Sequence, residues 1–560
     1  MTDVFLETAA RWAVDLRWRD LPPDVRRAAG AQRLSALGAV CWTHALPVGE
    51  RIVRTVRAEH GTGSDGTATL LGAGPVSPRA AAYGHAALGM ALDFDDTVLG
   101  GHTGHSAVFV PLAYAEAGGV DWRRAVVAHV AANEIAARVA SAAAVGPFRG
   151  QQTAYVHALC AAVGRAVVEG DDAETLADAM AIALSQPPWP LEAAFLGSDA
   201  KVLTAAEPVL SGLSAVSAAR EGLTGKRDLV TTESGFLDSF ADYPLPEFLD
   251  GLPERDPDDR GDRLRPVDGR WHTRAVTVKA HPGCAYVSAP VEAALDARRQ
   301  LDDAFDGPVE VSHVTVEASL FTTQVDERAG RYVRGPDSTL AALNFSVAYN
   351  VATALLDAEH TPRQFRPARR GSRDVWELAD RVELRHDSGF TMDALRSEVP
   401  LGAMLRRVGP LVLPYSAKTV GVGTTLRNLP TLLRFVRKRP LPTDLSRAEK
   451  RLGARVTVHL SDGGSVTAEC RHPTGFAGRP LSETRAVARR KLAAALTELA
   501  EDSEGERSEP SGRVSGATAS HAPIRPTVDA LREPEGPVSL SRLAGLLDAE
   551  GAEPTEVPTP

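Results

Sequence analysis

Cysteine is scarce in this chain. Its four residues, Cys41, Cys160, Cys284 and Cys470, lie far apart in 560 with no C-x-x-C pair. That spacing excludes a disulfide framework, a thiolate zinc site and an iron–sulfur cluster, and it fits a reducing cytoplasm. Basic excess is lacking too. The net charge of -10 argues against nucleic acid as the main partner, while leaving room for one basic cleft. No uncharged apolar run reaches the roughly 18 residues of a membrane span, so no integral membrane segment is expected. The start, Met1-Thr-Asp-Val-Phe-Leu-Glu7, lacks the basic and apolar regions of a secretory signal. What remains is 44% hydrophobic and 24% charged, ordinary for a soluble protein, and long enough that two domains are expected.

Residues 1 to about 240 read as helix after helix. Leu21 to Gly38 opens with prolines, carries apolar residues at three and four spacing, and stops at Gly. Tyr155–Glu169 and Ala173–Leu184 are two more, and the Ala-rich composition suits a closely packed bundle. Glu247 to Asp268, rich in Pro and Asp, suits a boundary. Then Pro308–Ala318, Arg381–His386 and Arg455–Cys470 alternate apolar and polar residues as strands do, the last with an Asp-Gly-Gly hairpin turn. Helices are expected at 285–301 and 341–357. The plan is a helical domain over 1–269 and an α+β domain over 270–477, with an insertion at about 395–447. A helix over 478–501 returns to the first domain, and the Ser-, Glu- and Pro-rich tail 502–560 is expected to be disordered. The insertion carries a basic cluster, Arg434-Phe-Val-Arg-Lys-Arg439. A surface helix is the plainer reading and a membrane-surface or partner contact the sharper one.

Chemistry concentrates in Ala91-Leu-Asp-Phe-Asp-Asp-Thr97, followed by Gly101-His-Thr-Gly-His-Ser106. Asp93, Asp95 and Asp96 cannot share one helical face, so some must point inward, where a charge needs a partner. Carboxylates, imidazoles and a hydroxyl together can move protons on a small polar substrate. A capped acidic helix end is the alternative. Lys201 and Lys279 are point charges suited to carboxylates, and Tyr349 can donate a hydrogen bond from a buried helix.

Five segments, in order, resemble the MmgE/PrpD family, which includes 2-methylcitrate dehydratase, cis-aconitate decarboxylase and iminodisuccinate epimerase. The first is the LDFDDT element with Val108–Ala117 after it. The second is Ala200-Lys-Val-Leu-Thr204 with Leu223-Thr-Gly225 and Glu233-Ser-Gly-Phe-Leu237. The third is Val278-Lys-Ala-His-Pro-Gly-Cys284. The fourth is Ala342-Leu-Asn-Phe-Ser-Val-Ala-Tyr-Asn-Val-Ala352. The fifth joins Asp462-Gly-Gly464 to His472-Pro-Thr-Gly-Phe-Ala-Gly-Arg-Pro-Leu-Ser482. The resemblance implies a mainly α fold, with a large helical domain and a smaller α+β lid. It also implies a homodimer through the helical domain and a carboxylate substrate handled without a cofactor or metal.

By that resemblance His105, Asp93, Lys201, Lys279 and Tyr349 are the catalytic candidates, with His105 as the main proton-transfer group. Thr97, His102, Ser106, Gln151 and Gln152 are the substrate-binding candidates. The sequence departs from the family pattern at several of these positions. Ser106 aligns with the family serine, so His105 falls on a proline position, and His102 is the alternative histidine. Arg149-Gly-Gln-Gln-Thr153 carries glutamine where the family has a second histidine. His157 follows on a helix and is expected to face the bundle. Ser35, His85, Met90 and Thr204 are further departures. They point to a changed substrate, and less strongly to lost activity. The expected function is a dehydratase-type elimination on a small carboxylic acid, with decarboxylation, epimerisation or an inactive binding homologue as alternatives. An active enzyme calls for His105 and Lys279 to face one cavity beside Asp93.

Overall fold

The computed structural model describes residues 4–60, 67–146, 154–253, 269–305, 307, 309–397, 401–433 and 445–505. The fold is mostly helical, with small sheets. Two apolar clusters organise it. The larger runs through the helices of residues 5–249 and recruits Val487, Ala488, Leu492 and Ala495 from the helix Leu481–Gly505. The smaller joins the helices Ser288–Ala304 and Val347–Asp357 to one face of a sheet.

The helix expected to stop at Gly38 instead runs Pro23–His44. Gly38 serves a close approach rather than a stop. A Cβ there would sit 2.9 Å from Lys491 Cγ and 3.1 Å from the Leu492 backbone, so the missing side chain lets the two helices touch. The expected return of the C-terminal helix to the bundle is thereby present, and Trp42 Nε1 donates to the Lys491 carbonyl at 3.2 Å. The stretch Asp199–Arg220 is long and apolar enough to cross a membrane by composition alone, but its helix Leu203–Arg220 packs against Tyr155–Glu169 and Ala173–Ser185.

In chain order the strands are β1 (Ala68–Leu70), β2 (Gly74–Val76), β3 (Asp96–Val98), β4 (Val276–Val278), β5 (Val311–Ala318), β6 (Val382–His386), β7 (Ala454–Leu460) and β8 (Ser465–Cys470). The last four form one sheet in the order β6-β5-β7-β8, with β5 parallel to β6 and antiparallel to β7. The expected strands at 308–318, 381–386 and 455–470 are all here, and Gly463 turns the β7–β8 hairpin at φ 91°.

The pairing that positions the site was not anticipated. Strand β3, the end of the DFDDT element, pairs antiparallel with β4, the strand before Lys279, in the register Asp96↔Val278 and Thr97↔Thr277. Further bonds extend this junction. Gly283 N donates to Leu92 O at 3.0 Å, and Asn344 Nδ2 donates to Ala91 O at 2.8 Å. Glu134 anchors the approach to β4 by accepting from the backbone N–H groups of His272 and Thr273, each at 2.8 Å.

Gln151, Gln152, the basic cluster 434–439, most of the 247–268 boundary and the tail beyond Gly505 lie outside the described residues.

Candidate active site

Asp93 sits just past the helix Pro78–Met90 in the left-handed region, at φ 48°. Such a conformation costs of order 1–3 kcal/mol and persists only where surrounding bonds impose it. Here the bonds are visible. Lys279 Nζ donates to the Asp93 carbonyl at 2.7 Å, to Asp93 Oδ1 at 2.6 Å and to Asp95 Oδ1 at 2.5 Å. Lys201 approaches Asp93 from the other side at 3.4 Å and donates to Met90 O at 2.8 Å. All four side chains are buried.

The charges support one another. Burial alone would raise the Asp93 carboxyl, but Lys201 and Lys279 outweigh it and hold Asp93 below its ordinary value. Asp95 goes well below, again against burial, through Lys279 and His102. Burial works against the Lys279 ammonium, yet Asp93 and Asp95 raise it above its usual value. Lys201 is lowered by burial. Both expected lysines therefore reach the site, but as counter-ions of its carboxylates rather than as unengaged clamps.

Two histidines meet Asp95. His102 Nδ1 lies 2.5 Å and His105 Nε2 3.1 Å from Asp95 Oδ2. An ionised carboxylate only accepts, so both nitrogens carry protons. The rings differ in access. The His102 side chain is 25% exposed and the His105 side chain 2%. A cavity of about 390 Å³ has Asp93, His102 and Cys284 among its lining residues, and His105 and Lys279, both buried, are not among those described there. Of the two candidate histidines, the alternative, His102, is the one that lines the cavity. His105 is turned inward, where Gly89 makes room. A Cβ on Gly89 would come 2.7 Å from His105 Nδ1.

Other expected residues support the framework. Thr97 is buried and accepts from Lys450 Nζ at 2.8 Å. Ser106 is buried and bonds His157 Nδ1 at 3.0 Å. His157 does not merely face the bundle, since its ring lies 5.6 Å from that of His105. Tyr349 is not brought to the cluster: its hydroxyl donates to Gln364 O at 2.5 Å, and its ring packs on Phe365 and Trp376. A tyrosine whose hydroxyl is satisfied so locally is a core residue. Of the departures, Ser35 accepts from Lys491, and His85 Nε2 accepts from Leu71 N at 3.1 Å.

Sequence reasoning missed a second layer. Lys491 Nζ bonds Ser35 Oγ at 2.9 Å and the Phe94 carbonyl. Burial lowers Lys491 to about 7 and Lys450 to about 8. Asp96 is raised to about 6 by burial and by Asp95. Its Oδ2 accepts from Gln32 Nε2 at 2.5 Å, and Gln32 in turn bonds His129 at 2.8 Å. Among the described residues, four buried lysines thus lie around the DFDD run, Lys201 and Lys279 on its carboxylates, Lys450 on Thr97 and Lys491 on the Phe94 carbonyl.

Among the described residues, Asp93, Asp95 and His102 bring one ligand atom each within 4.8 Å of one another. The Lys279 ammonium already sits on both carboxylates, so a cation bound there would have to displace it.

No curated protein sequence matches the chain. The MmgE/PrpD N-terminal domain matches residues 7–249, a range that holds the acidic run, both histidines and Lys201. The MmgE/PrpD C-terminal domain matches residues 281–404, starting just after Lys279. With both domains matched in order across most of the folded chain, the protein belongs to the MmgE/PrpD family.

Proposed function

We propose that the protein is a lyase that removes a proton next to a carboxylate and eliminates water from the adjacent carbon, with His102 as the base. The single observation that carries this reading is the Asp95–His102 pair at the cavity wall. Asp95 holds the Nδ1 proton at 2.5 Å, which leaves Nε2 of the neutral ring as the free acceptor on a partly exposed imidazole. An imidazole oriented in this way presents an acceptor nitrogen for a substrate proton.

As the α proton moves to His102, its bonding pair shifts toward the substrate carboxylate and then forms the double bond. The β-hydroxyl leaves, and the proton held on His102 completes the released water. Negative charge builds on the substrate carboxylate in between. The buried Lys279 ammonium, held on Asp93 and Asp95 next to the cavity-lining Asp93, is a fixed positive charge that favours it. Asp93 also lines the cavity, but as a strongly ionised carboxylate it suits orientation better than proton uptake. Reprotonation before the hydroxyl leaves would give epimerisation on the same base.

Incubating the protein in deuterated water with 3-hydroxy and unsaturated acids, followed by NMR, tests the reading. Deuterium at the α carbon together with a new alkene signal is expected from a 3-hydroxy acid. Exchange without alkene would replace elimination by epimerisation, and no exchange with any acid would overturn the proton-abstraction reading.

A further inference from the structure

In the connection from β6 to β7 several short polar side chains turn inward while aliphatic ones face out. Its described helices include Val412–Val420, Val422–Arg427 and Leu429–Leu432. Ser416, Thr419 and Asn428 are among the residues lining the cavity beside His102. Thr425 is buried, with its hydroxyl 3.0 Å from Ser416 Oγ and 2.9 Å from the Gly421 carbonyl. Asn428 Nδ2 donates to Thr424 O at 2.9 Å. The outer side is the reverse. Eight large hydrophobic side chains are exposed among the described residues, and four of them, Leu411, Val422, Leu426 and Leu433, fall within 411–433. Val422 and Leu426 are 63% and 62% exposed. Val422, Leu426, Pro430 and Leu433 recur at helical spacing, so they form one exposed stripe opposite the buried Thr425, Asn428 and Leu432.

Such a stripe marks a contact surface, and charge indicates what it meets. Residues 399–443 hold eight Lys or Arg and no Asp or Glu, in a chain whose net charge is -10. Arg407 and Lys418 pair with Glu247 and Asp242, which ties the connection to the rest of the fold. Arg427 is exposed beside Leu426, and in the sequence Leu433 is followed by Arg434-Phe-Val-Arg-Lys-Arg439. A second copy seated on the stripe would bring these like charges together, which opposes docking. An aliphatic stripe edged by cations matches an anionic lipid surface instead. The side chains enter the boundary between headgroups and acyl chains, and the cations stay among the headgroups on long apolar stems.

We propose that the outer face of the β6–β7 connection docks the protein on an anionic lipid surface, with Leu411, Val422, Leu426 and Leu433 entering the headgroup boundary. This surface is independent of the proposed reaction. Cosedimentation of the full chain with vesicles tests it, using phosphatidylcholine alone and phosphatidylcholine mixed with phosphatidylserine. Binding to the mixed vesicles is expected to be stronger by roughly tenfold or more, and to weaken as salt is added. V422D combined with L426D is expected to reduce it by roughly tenfold or more, with circular dichroism unchanged because both side chains are exposed. L411D, on the neighbouring helix, is expected to act in the same direction. Equal binding to the two kinds of vesicle, or unchanged binding in both folded variants, would overturn the proposal. So would a parent chain that ignores both vesicles, and a dimer in sedimentation equilibrium that V422D with L426D dissociates would then assign the stripe to a second copy.

Discussion

Asp95 Oδ2 lies 2.5 Å from His102 Nδ1, while the other oxygen of the same carboxylate receives the Lys279 ammonium at 2.5 Å. One buried carboxylate thus fixes both the tautomer of an accessible imidazole and the position of a cation delivered by β4. Replacing it with a neutral isostere separates these roles from packing. D95N is expected to lower turnover roughly 10²–10⁴-fold with kcat falling more than KM rises. A D95N enzyme with near-normal kcat would remove the orienting role.

Lys279 is buried against two carboxylates, so its loss leaves uncompensated charge. K279M is expected to destabilise the fold by about 3–5 kcal/mol, read from urea unfolding. Adding D93N to K279M should recover part of that loss, since one stranded charge is then gone. Additive losses in the double variant would contradict the pairing.

The second layer predicts opposing pH slopes of stability. Lys491 is lowered to about 7 from 10.5, so between those values the unfolded chain binds a proton that the folded chain has released. Stability therefore rises with pH across that window. Asp96 is raised from 3.8 to about 6, so there the folded chain holds the extra proton and stability falls as pH rises. Urea titrations at a series of pH values check both. K491M should flatten the alkaline rise and D96N the acidic fall. Slopes unchanged in the variants would assign them to other groups.

Gly104 packs its α carbon on Asp96, and a Cβ there would overlap Asp96 Oδ1. G104A is expected to cost about 1–3 kcal/mol in thermal or urea unfolding. The same substitution at Gly170, where no atom lies within 4 Å of a Cβ, meets no such overlap and costs only the strain of its positive φ.

The sequence revealed the helical half, the four-stranded sheet and the acidic run, because hydrophobic period and Asp-Gly-Gly turn chemistry are local signals. Lys201 and Lys279 were legible as site residues through their motifs, though their engagement with Asp93 was not. Lys450 and Lys491 left no such trace. Lys491 follows Arg489 and Arg490 on a charged helix and reads as a solvated face, until the Gly38 contact buries it against Ser35. The choice between His102 and His105 was equally hidden. Only Thr103 and Gly104 separate them, and the burial of His105 depends on the room left by the distant Gly89. Tyr349 fitted a motif, yet its hydroxyl is satisfied by Gln364, a bond across 15 positions that spacing alone does not disclose.

The central claim is that His102, rather than His105, moves the proton. The most direct measurement is the rate of α-hydrogen exchange in deuterated water for the parent protein, H102A and H105A side by side, on whichever acid the parent exchanges. The account predicts a loss of roughly 10²–10⁴-fold for H102A and a clearly smaller one for H105A, whose ring is buried. A folded H102A that exchanges at the parent rate, or an H105A with the larger loss, would contradict it.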